Sequence, residues 1–136
     1  MIEYIIVNGI VDADTYRDIV DKFNIDRVIS RVPLDEDLRA AIGDNVEWEW
    51  LEKVQPETFL TSLAERSKKE NILLDCIEYL SQTMGFDRTY KLLDQLINHS
   101  KDAEGNVYVV IDPEAFSKEQ WHNLQRMGIR GAHKLY

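Results

Sequence analysis

Short, unbroken apolar runs alternate with segments whose apolar residues recur every three to four positions, and this alternation, more than any other feature, limits the folds open to the chain. Residues 3–7 form the first run, bounded by Asn8-Gly9, and read as a buried strand entering a turn. Tyr16, Ile19, Val20 and Phe23 then share one face of a helix over 15–23, with Asp12 or Asp14 as its cap. Arg27–Ser30 reads as a second strand, and residues 35–42 as a short helix ending at Gly43. In residues 45–51, Val46, Trp48 and Trp50 alternate with Glu47 and Glu49, which predicts a third strand with both tryptophans on one face.

The second half repeats the scheme. Phe59, Leu60, Leu63 and Ala64 have helical spacing, and the continuously apolar Ile72, Leu73 and Leu74 end at Asp75, as a central parallel strand does. Phe86, Tyr90, Leu93 and Ile97, widened by Leu92 and Leu96, mark a helix after Gly85 with Asp87 as a candidate cap. Residues 107–111 form a fifth strand. Ser117 and Gln120 have capping-box spacing at the head of a helix that buries Trp121 and Leu124 and ends at Gly128, and residues 129–136 can add an edge strand. The expectation is one α/β domain over all 136 residues, a three-layer sandwich around a mostly parallel, doubly wound sheet of five or six strands. Any small-molecule site then belongs at the carboxyl edge of the sheet.

Composition excludes several classes. With 16 basic against 25 acidic residues the net charge is -9, which opposes a phosphate backbone, so nucleic acid is not an expected partner. No apolar run approaches the roughly 20 residues of a membrane span, and the start MIEYIIVNGIVDAD has no basic leader, so a cytoplasmic protein with no membrane association is expected. The single cysteine, Cys76, can form neither an internal disulfide nor a cysteine zinc site, and after a core strand it reads as a small buried hydrophobe.

Chemistry is mostly missing where this fold would carry it. The loop after the first strand reads VNGIVDAD, with one glycine, no lysine and two carboxylates where GxxxxGK[ST] would cradle a phosphate; GxGxxG is absent too. Asp12 and Asp14 resemble the acidic pair of response-regulator receivers, but neither the aspartate after the third strand nor the lysine after the fifth is present, since Glu52-Lys53 and Asp112-Pro113 stand there. Asp75, at the end of an apolar strand, is placed as a P-loop ATPase places its magnesium carboxylate; it either caps the next helix or bonds loop amides, or it contacts a ligand or metal, to which Glu78, one turn on, adds a second oxygen. His99, near a helix end, reads as a solvated side chain. Trp48, Trp50, Trp121 and Tyr136 read as packing residues or a binding surface. Arg27, Arg31, Arg126, Arg130 and Lys134 concentrate basic character on the second strand and the C-terminal segment, an asymmetry that suits a protein interface.

From Asn71 onward the sequence resembles an uncharacterised domain family of archaeal signalling proteins, through Leu73-Leu74-Asp75, Glu78-Tyr79-Leu80, Gly85-Phe86 and Asp112-Pro113-Glu114-Ala115. Upstream, Val28-Ile29-Ser30-Arg31 with Pro33, and Trp50-Leu51, match more loosely. The resemblance implies a degenerate core similar to KaiC and other RecA-like ATPases that has lost its phosphate loop, in a domain often joined to sensory or receiver modules. One departure is Asp75-Cys76, where the family commonly has a glycine after the aspartate. The leading expectation is a non-catalytic signalling or regulatory domain, without metal or cofactor, that docks in trans to a protein partner or to a second copy. The alternative is a small-molecule or nucleotide sensor, or weak enzyme, using Asp75, Glu78, Asp112 and Arg31 at the carboxyl edge.

Overall fold

A computed structural model describes residues 2–51, 58, 62–63, 65–66, 68–127, 129 and 131–135. Strand β1 (Ile2–Ile6) leads into helix α1 (Ala13–Phe23), β2 (Arg27–Ser30), α2 (Glu36–Ile42) and β3 (Glu47–Trp50). The second half carries β4 (Ile72–Asp75), α3 (Ile77–Met84), α4 (Phe86–His99), β5 (Val107–Ile111), a 3-10 turn (Pro113–Ala115), α5 (Lys118–Arg126) and β6 (Ala132–Lys134). The expected strands two and five fall on their predicted residues, and the C-terminal segment does form an edge strand.

Local chemistry explains the element ends. Asp12 accepts the Thr15 N–H at 2.8 Å and Asp35 the Leu38 N–H at 2.8 Å, each satisfying a donor that the first helical turn leaves open. Ser117 and Gln120 form the reciprocal capping box at 3.1 and 3.0 Å. One expectation is corrected. Helix α3 follows β4 as its own element, and Asp87 does not cap α4: Gly85, at φ 90°, takes the cap position without a side-chain bond, and Asp87 lies in the first turn. A backbone at positive φ is accessible to glycine at little cost, so the chain turns there from one helix directly into the next. Of the helix expected on Phe59, Leu60, Leu63 and Ala64, only Leu63 is among the described residues, where it is helical and buried; Glu52, Lys53, Gly128, Arg130 and Tyr136 also lie outside them.

All neighbouring strands pair in parallel, in the order β3-β2-β4-β5-β1-β6. From β1 the chain moves by way of β2 towards the β3 edge, and from β3 onward it returns the other way. Because crossovers between parallel strands are right-handed, the reversal sends the first helices to one face and the later ones to the other. The core divides accordingly. Tyr16, Ile19, Val20 and Phe23 of α1 and Leu38 and Ile42 of α2 cover Ile5, Val28, Leu73 and Val110 on one face. Ile77, Leu80, Leu92, Leu93, Leu96 and Leu124 cover Ile6, Ile29, Leu74 and Val109 on the other. The connections leaving β2 and β4 go to opposite faces, so these adjacent strands form a topological switch point at their carboxyl ends.

Candidate functional site

Asp75 ends β4 opposite Ser30, the last residue of β2, and its side chain follows from the two-residue period of a strand. Leu73 faces α1, so Asp75 faces α1 as well, whereas Ile72 and Leu74 face α3 and α4. That alternation overturns the expectation that Asp75 caps the following helix. The N-cap position of α3 is Cys76, without a side-chain bond, and Asp75 instead accepts a hydrogen bond from the Tyr16 hydroxyl of α1. Tyr16 Oη lies 3.2 Å from Ser30 Oγ, and Ser30 Oγ accepts the Val32 N–H at 3.1 Å. Since Tyr16 donates to the carboxylate, Ser30 must donate to Tyr16, which orders the chain of donors Val32, Ser30, Tyr16, Asp75. Asp75 is only 9 % exposed, so its carboxylate lies beneath the surface of the edge.

The remaining acids are tied in the same manner. Glu78 Oε1 accepts the Asp112 N–H at 2.9 Å. Asp112 Oδ2 accepts the Gly9 N–H at 2.9 Å across the β5–β1 boundary, and its Oδ1 accepts the Glu114 N–H at 3.0 Å, heading the 3-10 turn. Arg31 is exposed at the end of β2, where its backbone carbonyl accepts the Trp50 Nε1–H at 3.2 Å. The four residues singled out by sequence therefore converge on one edge, within electrostatic reach of each other through Glu78.

Burial dominates the electrostatics. It pushes the Asp75 carboxyl up, while the Tyr16 hydroxyl and the Arg31 charge pull it part of the way back. Glu78 is raised for the same reason, with the Asp112 N–H opposing and the Asp75 charge adding. Tyr16 is pushed far above the ordinary phenol range by burial and by the Asp75 charge beside it. Cys76 is buried and its thiol is raised by burial, so it packs as a small hydrophobe.

Among the described residues, the groups nearest a phosphate or metal position at this edge are bound within the chain. The N-terminus of α1, where a phosphate would sit, holds the Asp12 carboxylate, and the Gly9 N–H of the preceding loop is bound to Asp112. Among the described residues no three His, Cys, Asp or Glu side chains are grouped so as to hold a metal ion. Surface cavities of about 530 and 640 Å³ lie elsewhere, one between the α3–α4 junction and α5, the other beside α2, and neither is lined by Asp75, Glu78, Asp112 or Arg31. No helix among the described residues is long and apolar enough to cross a membrane.

Sequence reasoning placed Tyr16 in the core stripe and missed that its hydroxyl joins Ser30 and Asp75. The signal available was parity: Leu73 and Asp75 share a strand face, and the helix covering that face presents Tyr16. The aromatic residues divide. Trp48 stacks edge-on against Tyr16 at 5.4 Å and Trp121 packs on Tyr4 at 6.0 Å, whereas Trp50 is 46 % exposed. His99 is exposed in the last turn of α4, as expected.

No curated protein matches the chain. A family model does, from the α2 cap to the end of α5, so that Asp75, Glu78 and Asp112 fall inside the match while Tyr16, Ser30 and Arg31 fall outside it. With residues 35–127 matched, more than half of its length, the chain belongs to the family described as protein of unknown function DUF835.

Proposed function

We propose that this chain is a non-catalytic regulatory domain of degenerate RecA-like ancestry, acting in cytoplasmic signalling by docking to another protein or to a second copy of itself. One observation carries the reading: each acid that a ligand site at the carboxyl edge would use is hydrogen-bonded within the chain, Asp75 to Tyr16, Glu78 to Asp112, and Asp112 to Gly9 and Glu114. The loop after β1 supports it, since its aspartate caps α1 from within. The ancestry is what the family resemblance implies, and the apolar strand ending in Asp75 beside a first loop without phosphate-binding groups agrees with it.

A second reading is favoured by the convergence of Asp75, Glu78, Asp112 and Arg31 at one edge: a sensor that binds a small molecule or nucleotide there. Melting temperature measured with magnesium and a panel of nucleotides separates the two, because a ligand that binds only the folded state raises it by mass action. The docking domain predicts no shift with any of them. A reproducible rise that Asp75→Asn abolishes, or nucleotide hydrolysis that the same substitution removes, overturns it in favour of the sensor or enzyme.

A further inference from the structure

Strands β3 and β6 close the two ends of the sheet, and no described strand pairs with the outer edge of either. Such an edge is a template for another strand. In β3 the N–H groups of Glu47 and Leu51 bond inward, to Asp26 and Ser30, so the alternation of the backbone turns the polar groups of Trp48 and Trp50 outward. In β6 the Gly131 carbonyl accepts the Tyr4 N–H and the Leu135 N–H bonds to Ile6, so Ala132 and Lys134 turn outward. Each edge therefore offers two residues spaced by two, the spacing that one parallel ladder uses.

The side chains match as well. Trp48 packs against the α1–α2 core, so Trp48 and Trp50 share that face and Glu47 and Glu49 take the other. In β6, His133 lies edge-on to Phe23 of α1 at 4.9 Å and Leu135 joins the same core, which leaves Ala132 and Lys134 on the other face. Laid side by side in the direction of the existing sheet, the two edges bring His133 and Leu135 beside the tryptophans and Lys134 beside Glu47 or Glu49. Trp50 is exposed but pinned by its bond to the Arg31 carbonyl, so it presents a fixed apolar surface for Leu135 to cover.

We infer that β6 of one copy pairs with β3 of the next, extending the parallel sheet head to tail. The inference rests on the reading of the chain as a docking domain and assigns the docking surface and its occupant, a second copy. Symmetric pairing is poorer: β3 on β3, antiparallel with faces matched, sets Glu47 against Glu49 of the second copy, whose carboxylate Arg27 and Arg66 already hold, so Glu47 gains no cation there. β6 on β6 brings no opposite charge to Lys134. A head-to-tail contact does not close by itself, so assembly grows with concentration.

Sedimentation of the full chain from low micromolar to near-millimolar concentration tests this. The expected result is an average mass that climbs above 15.9 kDa with concentration and falls back in high salt. Glu47→Lys and Lys134→Glu each weaken association by about tenfold, and the double variant Glu47→Lys/Lys134→Glu restores it. Both residues are exposed, so circular dichroism and melting of each single variant stay at the parent values. A mass of 15.9 kDa at every concentration, or a double variant no better than either single one, overturns the inference. That failure leaves the docking-domain reading standing, with a different partner, because the latter fails on the nucleotide-dependent melting shift instead.

Discussion

Tyr16 and Asp75 bind the carboxyl edge through one contact between a helix and a strand, and both are nearly inaccessible to water. A buried carboxylate that loses its donor keeps its desolvation cost without compensation. Tyr16→Phe is therefore expected to destabilise the protein by about 2 kcal/mol at neutral pH, measured by urea denaturation. The pH dependence has a definite sign. The folded state holds the Asp75 proton more tightly than the unfolded chain does, because burial raises its pKa. Stability from such a group is fully present below the unfolded value of about 3.9 and is lost as pH rises through the higher folded value. Asp75→Asn cannot titrate and is predicted to flatten the gain in Tm on acidification from neutral pH. Tyr16→Phe removes the donor that favours the carboxylate and is predicted to steepen it. Parallel pH profiles for the parent and both variants would disprove this account of Asp75.

Helix ends act locally and with the opposite pH sign. The Asp12 carboxyl lies below its ordinary range because it accepts the Thr15 N–H at the head of α1, so its contribution is present above the unfolded pKa and disappears as pH falls through the folded one. Asp12→Ala is expected to lower Tm at neutral pH and to have progressively less effect under acid. Ser117→Ala removes the capping box of α5 and is expected to cost about 1 kcal/mol. The two caps are on different helices without shared partners, so chemical denaturation of the double variant is expected to give the sum of the single effects. A strongly non-additive result would mean that α1 and α5 communicate through the sheet.

Across the whole molecule, two apolar layers share one sheet. Ile19 lies in the layer under α1 and Leu93 in the layer under α4, and both are fully buried. Truncating either to alanine is expected to cost about 2–5 kcal/mol through lost transfer energy and the cavity left behind. Because strands β2, β4, β5 and β1 supply side chains to both layers, each variant is expected to unfold in one transition, with fluorescence and circular dichroism coincident. Two separated transitions in Leu93→Ala would show that the layers unfold independently. Hydrogen exchange offers a further check: the amides of β4, fully enclosed between β2 and β5, should exchange only by global unfolding, ahead of which β6 opens.

For most of the described elements the sequence alone sufficed, because period and capping are local. An apolar run such as Val107–Ile111 has few ways to satisfy its backbone while hiding every side chain, and the Ser117–Gln120 pair announces a helix start within four residues. It also determined what the first loop lacks, since a missing lysine needs no fold to be read. Helix boundaries were less legible where glycine allowed a turn without a break in apolar spacing, as at Gly85 between α3 and α4. The partners of Asp75, Glu78 and Asp112 were decided only by tertiary structure. Tyr16 is 59 residues from Asp75, and Asp112 is 34 from Glu78 and 103 from Gly9. Contacts over such separations depend on strand order and on which face each crossover takes, and both were fixed by how the two helical layers cover the sheet.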